Sequence, residues 1–345
     1  MSNHVKHSEF PAGASSGIAA MLSRKLVGQL AAIQAIVPCI EMYRSRLAPE
    51  NRPAGVFLLL GPTGTGKTRT VEALAEVLHG SSKKLLRIDC GEFQMDHEVA
   101  KLIGAPPGYL GHRETQPIFS QQKLNGAASE ACDLAIVLFD EIEKAAPSMI
   151  RLLLGVLDKG ALRLGDGTAV NFEKTIVFLT SNLGAREMNK HLRPDFGFEA
   201  LAPSADRGPR LEAISGNALR KTFPPEFVNR IDEVVTYRPL SKDAVATILD
   251  LEIRELQRHI DARLGAEAFH LEVPVKTRRF LLQHGTSEEY GARELRRALQ
   301  RYLIHPLAAL VAGGEINPGD MVRADVDARR GRLVLRPEPS LARAC

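Results

Sequence analysis

Five short apolar runs, each followed by a longer stretch of mixed character, organise the first two thirds of the chain. They are 56–60, 85–88, 134–139, 175–180 and 234–237. Continuous apolar runs of this length are typical of parallel strands buried on both faces. The stretches between them show helical periodicity, for example 68–78 and 147–157. The pattern predicts an α/β fold in which a five-stranded parallel sheet is covered by helices.

The pattern changes after residue 238. Helical periodicity over 242–264, 275–284 and 292–311 gives way to alternating segments at 321–326 and 332–335, which predict a closing β-hairpin. Residues 186–209 are dense in Pro, Gly, Asp and Arg and predict a long surface loop. The predicted organisation is a flexible N-terminal arm (1–20), a large domain (21–238), a smaller, mainly helical C-terminal domain with the hairpin (239–338) and a tail (339–345).

Charge and composition argue against several classes of protein. Lys and Arg number 45 and Asp and Glu 41, a net charge of +4 with no dominant basic field, so nucleic acid is not an expected partner. No apolar run approaches the roughly 20 residues of a membrane helix, and no signal peptide is evident. The cysteines are scattered, without a CxxC pair or a histidine cluster, as in a reducing compartment. We expect a cytoplasmic protein with no membrane partner.

A glycine-rich segment lies between the first predicted strand and a helical stretch. Residues 61–68 match the phosphate-binding pattern GxxxxGK[ST] in the strand-loop-helix context that this pattern requires, which disfavours a turn that binds nothing. Main-chain N–H groups of such a loop surround phosphates, Lys67 is expected to reach the β and γ phosphates, and Thr68 to bind Mg²⁺. The predicted nucleotide-binding residues of the loop are Gly61, Pro62, Thr63, Gly64, Thr65, Gly66, Lys67 and Thr68.

Two carboxylates follow the third predicted strand. Asp140 and Glu141 would lie at the edge where open α/β sheets bind ligands. We expect Asp140 to hold the Mg²⁺ shell and Glu141 to orient and polarise the attacking water. Paired acids here can also cap a helix, but the phosphate loop upstream favours catalysis. Asn182 follows the fourth strand, and its amide would lie beside the γ-phosphate if that strand adjoins the first; otherwise it is an ordinary turn residue.

These motifs occur in the order found in the Clp family of AAA+ unfoldases. The chain resembles the second, C-terminal ATPase module of the ClpA, ClpB and ClpC type over about 22–335. The segments that carry the resemblance are 27–29 (Val-Gly-Gln), 61–68, 104–111 (Gly-Ala-Pro-Pro-Gly-Tyr-Leu-Gly), 138–144 (Leu-Phe-Asp-Glu-Ile-Glu-Lys), 180–184 (Thr-Ser-Asn-Leu-Gly), 227–232 (Phe-Val-Asn-Arg-Ile-Asp) and 291–293 (Gly-Ala-Arg).

The resemblance implies further parts of the nucleotide site. Asn182 would be the first sensor and place the lytic water, Arg230 would be an arginine finger that reaches the γ-phosphate of a neighbouring subunit, and Arg293 would be the second sensor. Val27 and Gly28 would flank the adenine. Without the resemblance, Arg230 and Arg293 would be read as surface arginines paired with neighbouring acids.

The resemblance also implies a path for polypeptide. Tyr109 and Leu110 lie in a glycine-flanked segment similar to the pore loop that grips substrate; a lone tyrosine would otherwise be read as buried in its own subunit. Phe196, Gly197 and Phe198 resemble the tripeptide with which some members dock on a ClpP-like protease. The alternative is that these aromatics fold back on the base of their own loop.

Together these features predict an ATP-dependent unfoldase or chaperone. It would hydrolyse ATP to ADP and phosphate with Mg²⁺, form a homo-oligomer, expected to be a hexamer, and thread protein substrates through a tyrosine-lined pore. A ClpP-like protease or an adaptor is a candidate partner. The alternative is a dedicated AAA+ remodelling ATPase that acts on one protein assembly without processive threading. A nucleic-acid motor would require a basic channel that the charge does not suggest.

Overall fold

The computed structural model describes residues 17–104, 117–192, 207–286, 291–327 and 330–339. The chain divides into two compact units. The first comprises Met1–Leu59, Thr68–Thr180 and Pro224–Val235, and the second Leu60–Lys67, Ser181–Phe223 and Thr236–Cys345.

Helices and short strands alternate along most of the described chain. The helices are α1 (Gly17–Ser23), α2 (Leu30–Arg44), α3 (Lys67–His79), α4 (Asp96–Ile103), α5 (Gln121–Gly126), α6 (Pro147–Lys159), α7 (Ala185–Leu192), α8 (Arg207–Thr222), α9 (Pro225–Val228), α10 (Lys242–Leu264), α11 (Val275–Gly285), α12 (Ala292–Leu299) and α13 (His305–Ala312). The strands are β1 (Gly55–Leu60), β2 (Leu86–Asp89), β3 (Ala135–Asp140), β4 (Ala161–Arg163), β5 (Ala169–Asn171), β6 (Thr175–Ser181), β7 (Glu233–Thr236), β8 (His270–Glu272), β9 (Met321–Asp327) and β10 (Arg332–Glu338).

The five predicted strands form one parallel sheet, which confirms the predicted fold class. Its strand order is β2-β3-β6-β1-β7. In register, Asp89 of β2 lies opposite Asp140 of β3, and Phe139 of β3 lies opposite Leu179 of β6. Strand β6 adjoins β1, the arrangement in which a residue that follows β6 lies near the loop that follows β1.

The three central strands are buried along their whole length, as their apolar sequences predict. Every residue of β1, β3 and β6 is buried. Phe57 of β1 stacks on Phe178 of β6 with ring centroids 5.5 Å apart. Each fully buried side chain of this size stabilises the fold by about 1.5–3 kcal/mol. The strand ends that carry polar residues therefore project from a tightly packed core.

The second unit contains a three-stranded sheet packed with helices. Strand order is β10-β9-β8, and β9 and β10 form the predicted terminal hairpin, with Asp327 opposite Arg332. Strand β8, which pairs in parallel with β9, was not predicted. Leu281, Leu295 and Leu303 belong to the buried core of this region. The confirmed helix α10 begins at Lys242, and the hydroxyl of the preceding Ser241 caps it by accepting a hydrogen bond from the Ala244 N–H.

Two local predictions differ from the structure. The predicted loop at 186–209 is wrong at both ends, because α7 reaches Leu192 and α8 begins at Arg207. Helix α7 is anchored by the buried Met188, and the Pro- and Gly-rich sequence that follows it led to the prediction of a loop. The predicted continuous helix 292–311 contains a π-helical turn, Gln300–Ile304, directly before α13. Pro306 has no N–H to donate, and it is tolerated in the first turn of α13.

Two further observations concern the chain ends and membranes. Helix α1 begins at Gly17, inside the segment 1–20 that was predicted to be a flexible arm. Among the described residues, no helix combines the length and apolar character that crossing a membrane requires.

Candidate nucleotide site

The loop after β1 begins in a conformation that only glycine accommodates. Gly61 has a φ of +146°, and a Cβ at this position would lie 2.5 Å from the Tyr237 carbonyl oxygen. The Gly61 N–H donates to the Ser181 carbonyl at 3.3 Å, and the Tyr237 N–H donates to the Leu60 carbonyl at 2.6 Å. These bonds fix the point at which the phosphate-loop sequence 61–68 leaves its strand.

Lys67 and Asn182, far apart in sequence, meet through their side chains. The Lys67 side chain is buried, with 7% exposure of the residue, and its Nζ donates to the carbonyl oxygens of Gly61 at 2.6 Å and Pro62 at 2.9 Å. It also donates to Asn182 Oδ1 at 2.9 Å, and the Thr63 hydroxyl lies 3.4 Å from the same oxygen. A buried ammonium requires such partners. The cation is held at the loop rather than in solvent.

Asp140, the last residue of β3, has both carboxylate oxygens engaged. Oδ1 accepts from the Thr180 hydroxyl at 2.5 Å and lies 3.5 Å from the Thr68 hydroxyl. Oδ2 pairs with the Arg87 guanidinium at 2.5 Å. The Thr68 hydroxyl and the Asp140 carboxylate are oxygen donors of the kind that a hard cation such as Mg²⁺ prefers. This pair of residues could hold a divalent ion.

Glu141 leaves the strand in a left-handed backbone conformation. Its φ is +56° and its ψ is 51°, a region where a residue with a Cβ costs roughly 1–3 kcal/mol. The Glu141 N–H donates to the Thr180 hydroxyl at 3.1 Å. Its carboxylate pairs with Lys144, and this hydrogen bond raises the pKa of Lys144. Local strain of this kind is common at catalytic positions, where it aims a side chain.

The start of α12 is hydrogen-bonded to the phosphate loop. The Ala292 N–H donates to the Gly64 carbonyl at 3.1 Å. Gly291, which precedes the helix, has a φ of +50°, and a Cβ there would lie only 2.8 Å from the same carbonyl oxygen. Arg293 is the next helical residue, and its side chain is exposed. Arg293, the predicted second sensor, therefore directly follows the residue that is hydrogen-bonded to the phosphate loop.

Arg230 projects from a firmly anchored segment. Its guanidinium pairs with Asp158 at 2.7 Å, and the two side chains are 48% and 39% exposed. The following Asp232 is fixed in place, because its carboxylate accepts the Val56 N–H at 2.8 Å and pairs with Arg52 at 2.5 Å. The acid that pairs with Arg230 is thus Asp158 of α6, and the nearby Asp232 is used to hold the backbone.

Two family models match adjacent parts of the chain. The model of the AAA domain (Cdc48 subfamily) matches residues 52–234, and the model of the C-terminal, D2-small domain of ClpB protein matches residues 240–324. The chain belongs to the Clp family of AAA+ ATPases. This confirms the resemblance found in the sequence and identifies the chain as an ATPase that binds nucleotide.

Curated relatives support the assignment. The chaperone protein ClpB of Meiothermus ruber is 38% identical over 301 residues, which cover 86% of this chain and 32% of the relative. ClpB of Pseudomonas putida is 36% identical over 315 residues, 89% of this chain and 33% of the relative. This Clp ATPase chain therefore spans about a third of the length of the curated relatives it matches.

Solved Hsp104 structures share the fold. A closed-state cryo-EM reconstruction of Hsp104 with ATPγS and FITC casein matches with a TM-score of 0.76 at 29% identity, covering 93% of this chain and 51% of that chain. The S. cerevisiae Hsp104–casein complex in its extended conformation matches with a TM-score of 0.78 at 29% identity, covering 94% and 53%.

The other residues predicted to be functional in this Clp ATPase lie between α1 and α2 or outside the described residues. Val27, half-buried, and Gly28, exposed, lie in the connection between α1 and α2. The predicted pore residues Tyr109 and Leu110 lie outside the described residues, as do Phe196, Gly197 and Phe198 of the predicted docking tripeptide. Their roles remain predictions.

Two residues of the site were not predicted. The Thr180 hydroxyl contacts the Asp140 carboxylate and the Glu141 N–H, and Arg87 pairs with Asp140. Each left a signal in the sequence: Arg87 is a charge inside the strand sequence Leu-Arg-Ile-Asp, and Thr180 is a polar residue ending an apolar run. Neither feature indicates which residue is contacted, because both contacts join strands that are distant along the chain.

The loop contact of α12 leads to a prediction. Replacing Gly291 by Ala is expected to weaken nucleotide binding by about 10-fold, because the new Cβ meets the Gly64 carbonyl and the left-handed backbone becomes strained. Titration with a fluorescent nucleotide would measure this change. Gly314→Ala is the matched control, since Gly314 also has a positive φ but no atom within 4 Å of its Cβ position. Equal nucleotide affinity in the two variants would contradict the prediction.

Proposed function

We propose that this chain is the motor module of an ATP-driven protein unfoldase that works as a hexameric ring and threads polypeptide through a tyrosine-lined pore. The observation that carries the proposal is that Thr68 of α3 lies 3.5 Å from Asp140, which ends β3 directly before Glu141. In the same chain the phosphate loop holds Lys67 beside Asn182. This is the set of side chains that phosphoryl transfer requires.

Each residue of the proposed site has a separate role in ATP hydrolysis. Main-chain N–H groups of the loop and Lys67 bind the phosphates. Thr68 and Asp140 would hold Mg²⁺, which would neutralise charge on the phosphate oxygens. Glu141 accepts a proton from the attacking water and orients it together with Asn182. Arg293 acts in its own subunit. Arg230, exposed enough to reach outward, acts on the nucleotide of a neighbouring subunit, so hydrolysis depends on assembly.

Polypeptide is the proposed substrate. The Hsp104 structures that share this fold contain casein, which supports a protein substrate for the module as well. Tyr109 and Leu110 would grip the substrate in the pore. Phe196, Gly197 and Phe198 would dock on a ClpP-like protease, and an adaptor is a separate candidate partner. A cytoplasmic location is part of the proposal, and the buried free thiols of Cys39, Cys90 and Cys132 suit a reducing compartment.

Replacing Tyr109 by Ala tests the threading step. We expect unfolding of a tagged, stably folded reporter to fall at least about 10-fold while ATP turnover stays within about threefold, because an aromatic side chain supplies the grip and takes no part in hydrolysis. Reporter fluorescence and phosphate release would be followed together. The matched variant Tyr109→Phe keeps the aromatic ring and is expected to unfold the reporter.

The same experiment separates the two candidate functions. A dedicated remodelling ATPase would tolerate Tyr109→Ala and act only on its own assembly. Two results together would therefore overturn the threading proposal in favour of the remodeller. The wild-type protein would hydrolyse ATP without unfolding the reporter, and Tyr109→Ala would change none of its activities on proteins.

A further inference from the structure

The Thr180 hydroxyl lies between the two residues that carry the catalytic carboxylates. Thr180 is 1% exposed and occupies the next-to-last position of β6, the strand beside β3. Its Oγ1 donates to Asp140 Oδ1 at 2.5 Å and accepts the Glu141 N–H at 3.1 Å. A single hydroxyl thus touches Asp140 through the side chain and Glu141 through the backbone.

The chemistry of a hydroxyl suits this position. A threonine hydroxyl has one proton to donate and lone pairs to accept, and both capacities are used here. The donated bond fixes the rotation of the Asp140 carboxylate, whose Oδ1 also faces the Thr68 hydroxyl. The accepted bond holds the Glu141 backbone at its φ of +56°, a conformation that persists only when neighbouring groups enforce it. The β-branch of threonine further limits the rotation of the hydroxyl.

We propose that Thr180 is a positioning residue for ATP hydrolysis, which sets the direction of Glu141 and the orientation of Asp140 at the same time. The inference rests on the roles proposed above for Asp140 and Glu141. Thr180 itself contacts neither nucleotide nor water in this scheme; it acts through the two acids. Its loss should therefore affect the hydrolytic step and the dependence on Mg²⁺ more than it affects nucleotide affinity.

Replacing Thr180 by Val removes the hydroxyl at nearly constant volume. We expect kcat to fall about 10- to 100-fold, the loss that corresponds to one hydrogen bond to a charged group, and the half-activating Mg²⁺ concentration to rise severalfold. Affinity for a fluorescent nucleotide without Mg²⁺ should stay within about twofold, since Lys67 and the loop remain. Thr180→Ser restores the hydroxyl and is expected to keep kcat within about threefold of wild type.

Thr175→Val is the matched control. Thr175 lies in the same strand, is also 1% exposed, and donates its hydroxyl to the Phe172 carbonyl at 2.6 Å, away from the carboxylates. We expect its melting temperature to fall as that of Thr180→Val does, while kcat and the Mg²⁺ dependence remain those of wild type. Parallel loss of kcat in both variants would show a merely structural role and overturn the inference. If Thr180→Val does not fold, Thr180→Ala removes the hydroxyl without a new methyl group and gives the same comparison.

Glu141→Gln, assayed in parallel, distinguishes a failure of the inference about Thr180 from a failure of the proposed catalytic site. If Glu141→Gln is inactive and Thr180→Val hydrolyses ATP at the wild-type rate with unchanged Mg²⁺ dependence, the inference about Thr180 is wrong and the proposed site stands. If Glu141→Gln hydrolyses ATP normally, the assignment of the carboxylates is wrong and the inference falls with it.

Discussion

Replacing Glu141 by Gln is expected to lower the rate of ATP hydrolysis at least about 100-fold while nucleotide still binds, because an amide cannot accept the proton of the attacking water. Glu141 follows β3 with a left-handed backbone, and the Thr180 hydroxyl, which accepts its N–H, holds that backbone in place. The substitution keeps the size of the side chain. Phosphate release and fluorescent-nucleotide binding, measured on the same preparation, would give both quantities.

The control for this prediction is Glu130→Gln. Glu130 is an exposed acid that precedes β3, whereas Glu141 follows it, so the same change in charge is made away from the site. It should hydrolyse ATP at the wild-type rate. Loss of nucleotide binding in Glu141→Gln, or hydrolysis within about threefold of wild type, would remove Glu141 from the role of general base.

Replacing Arg230 by Ala is expected to reduce hydrolysis by about 10³-fold, the contribution of an arginine that stabilises transition-state charge. Although it pairs with Asp158 of its own chain, the Arg230 side chain is 48% exposed, which leaves it accessible to a neighbouring subunit. The anchored Asp232 two residues later keeps the backbone fixed when the side chain is removed. Arg254→Ala is the control, since Arg254 is an exposed arginine whose Nε donates to the Asp250 carbonyl of its own helix.

Mixing two inactive variants tests whether Arg230 acts between subunits. In a mixed ring, an Arg230→Ala subunit still has Glu141. Its nucleotide can be contacted by Arg230 of a neighbouring Glu141→Gln subunit, which completes the site. We therefore expect the mixture to recover measurable ATP hydrolysis, with a maximum near equal proportions. A mixture that forms the oligomer, as judged by light scattering, and stays as inactive as its components would place Arg230 in its own subunit.

Local patterns in the sequence were sufficient for much of the fold. Each central strand is an unbroken apolar run, and burial on both faces requires such a run, so β1, β3 and β6 could be predicted to within a residue or two. The phosphate loop could also be predicted, because the glycine spacing is a direct requirement of its backbone. Gly61, with its φ of +146°, shows why a residue with a Cβ would be strained there.

Where the prediction was wrong, several weak signals competed. The sequence of α7 has a composition that is compatible with a helix, but a segment rich in Pro and Gly follows it. The C-terminal boundary of α7 could therefore not be placed from composition alone. Pro306 lies within a helical pattern, and the sequence does not show whether the helix ends, bends or inserts the observed π turn before α13.

The sequence by itself determined the strands of the sheet, the phosphate loop and the identity of the carboxylates, because each depends on neighbouring residues and on backbone requirements that a short motif expresses. Only the tertiary structure decided which side chains meet. Thr180 reaches Asp140 across 40 residues, Lys67 reaches Asn182 across 115, and Ala292 reaches the Gly64 carbonyl. Such contacts follow from the order in which strands pack, and strand order is set by the burial of the whole core, which no local pattern contains.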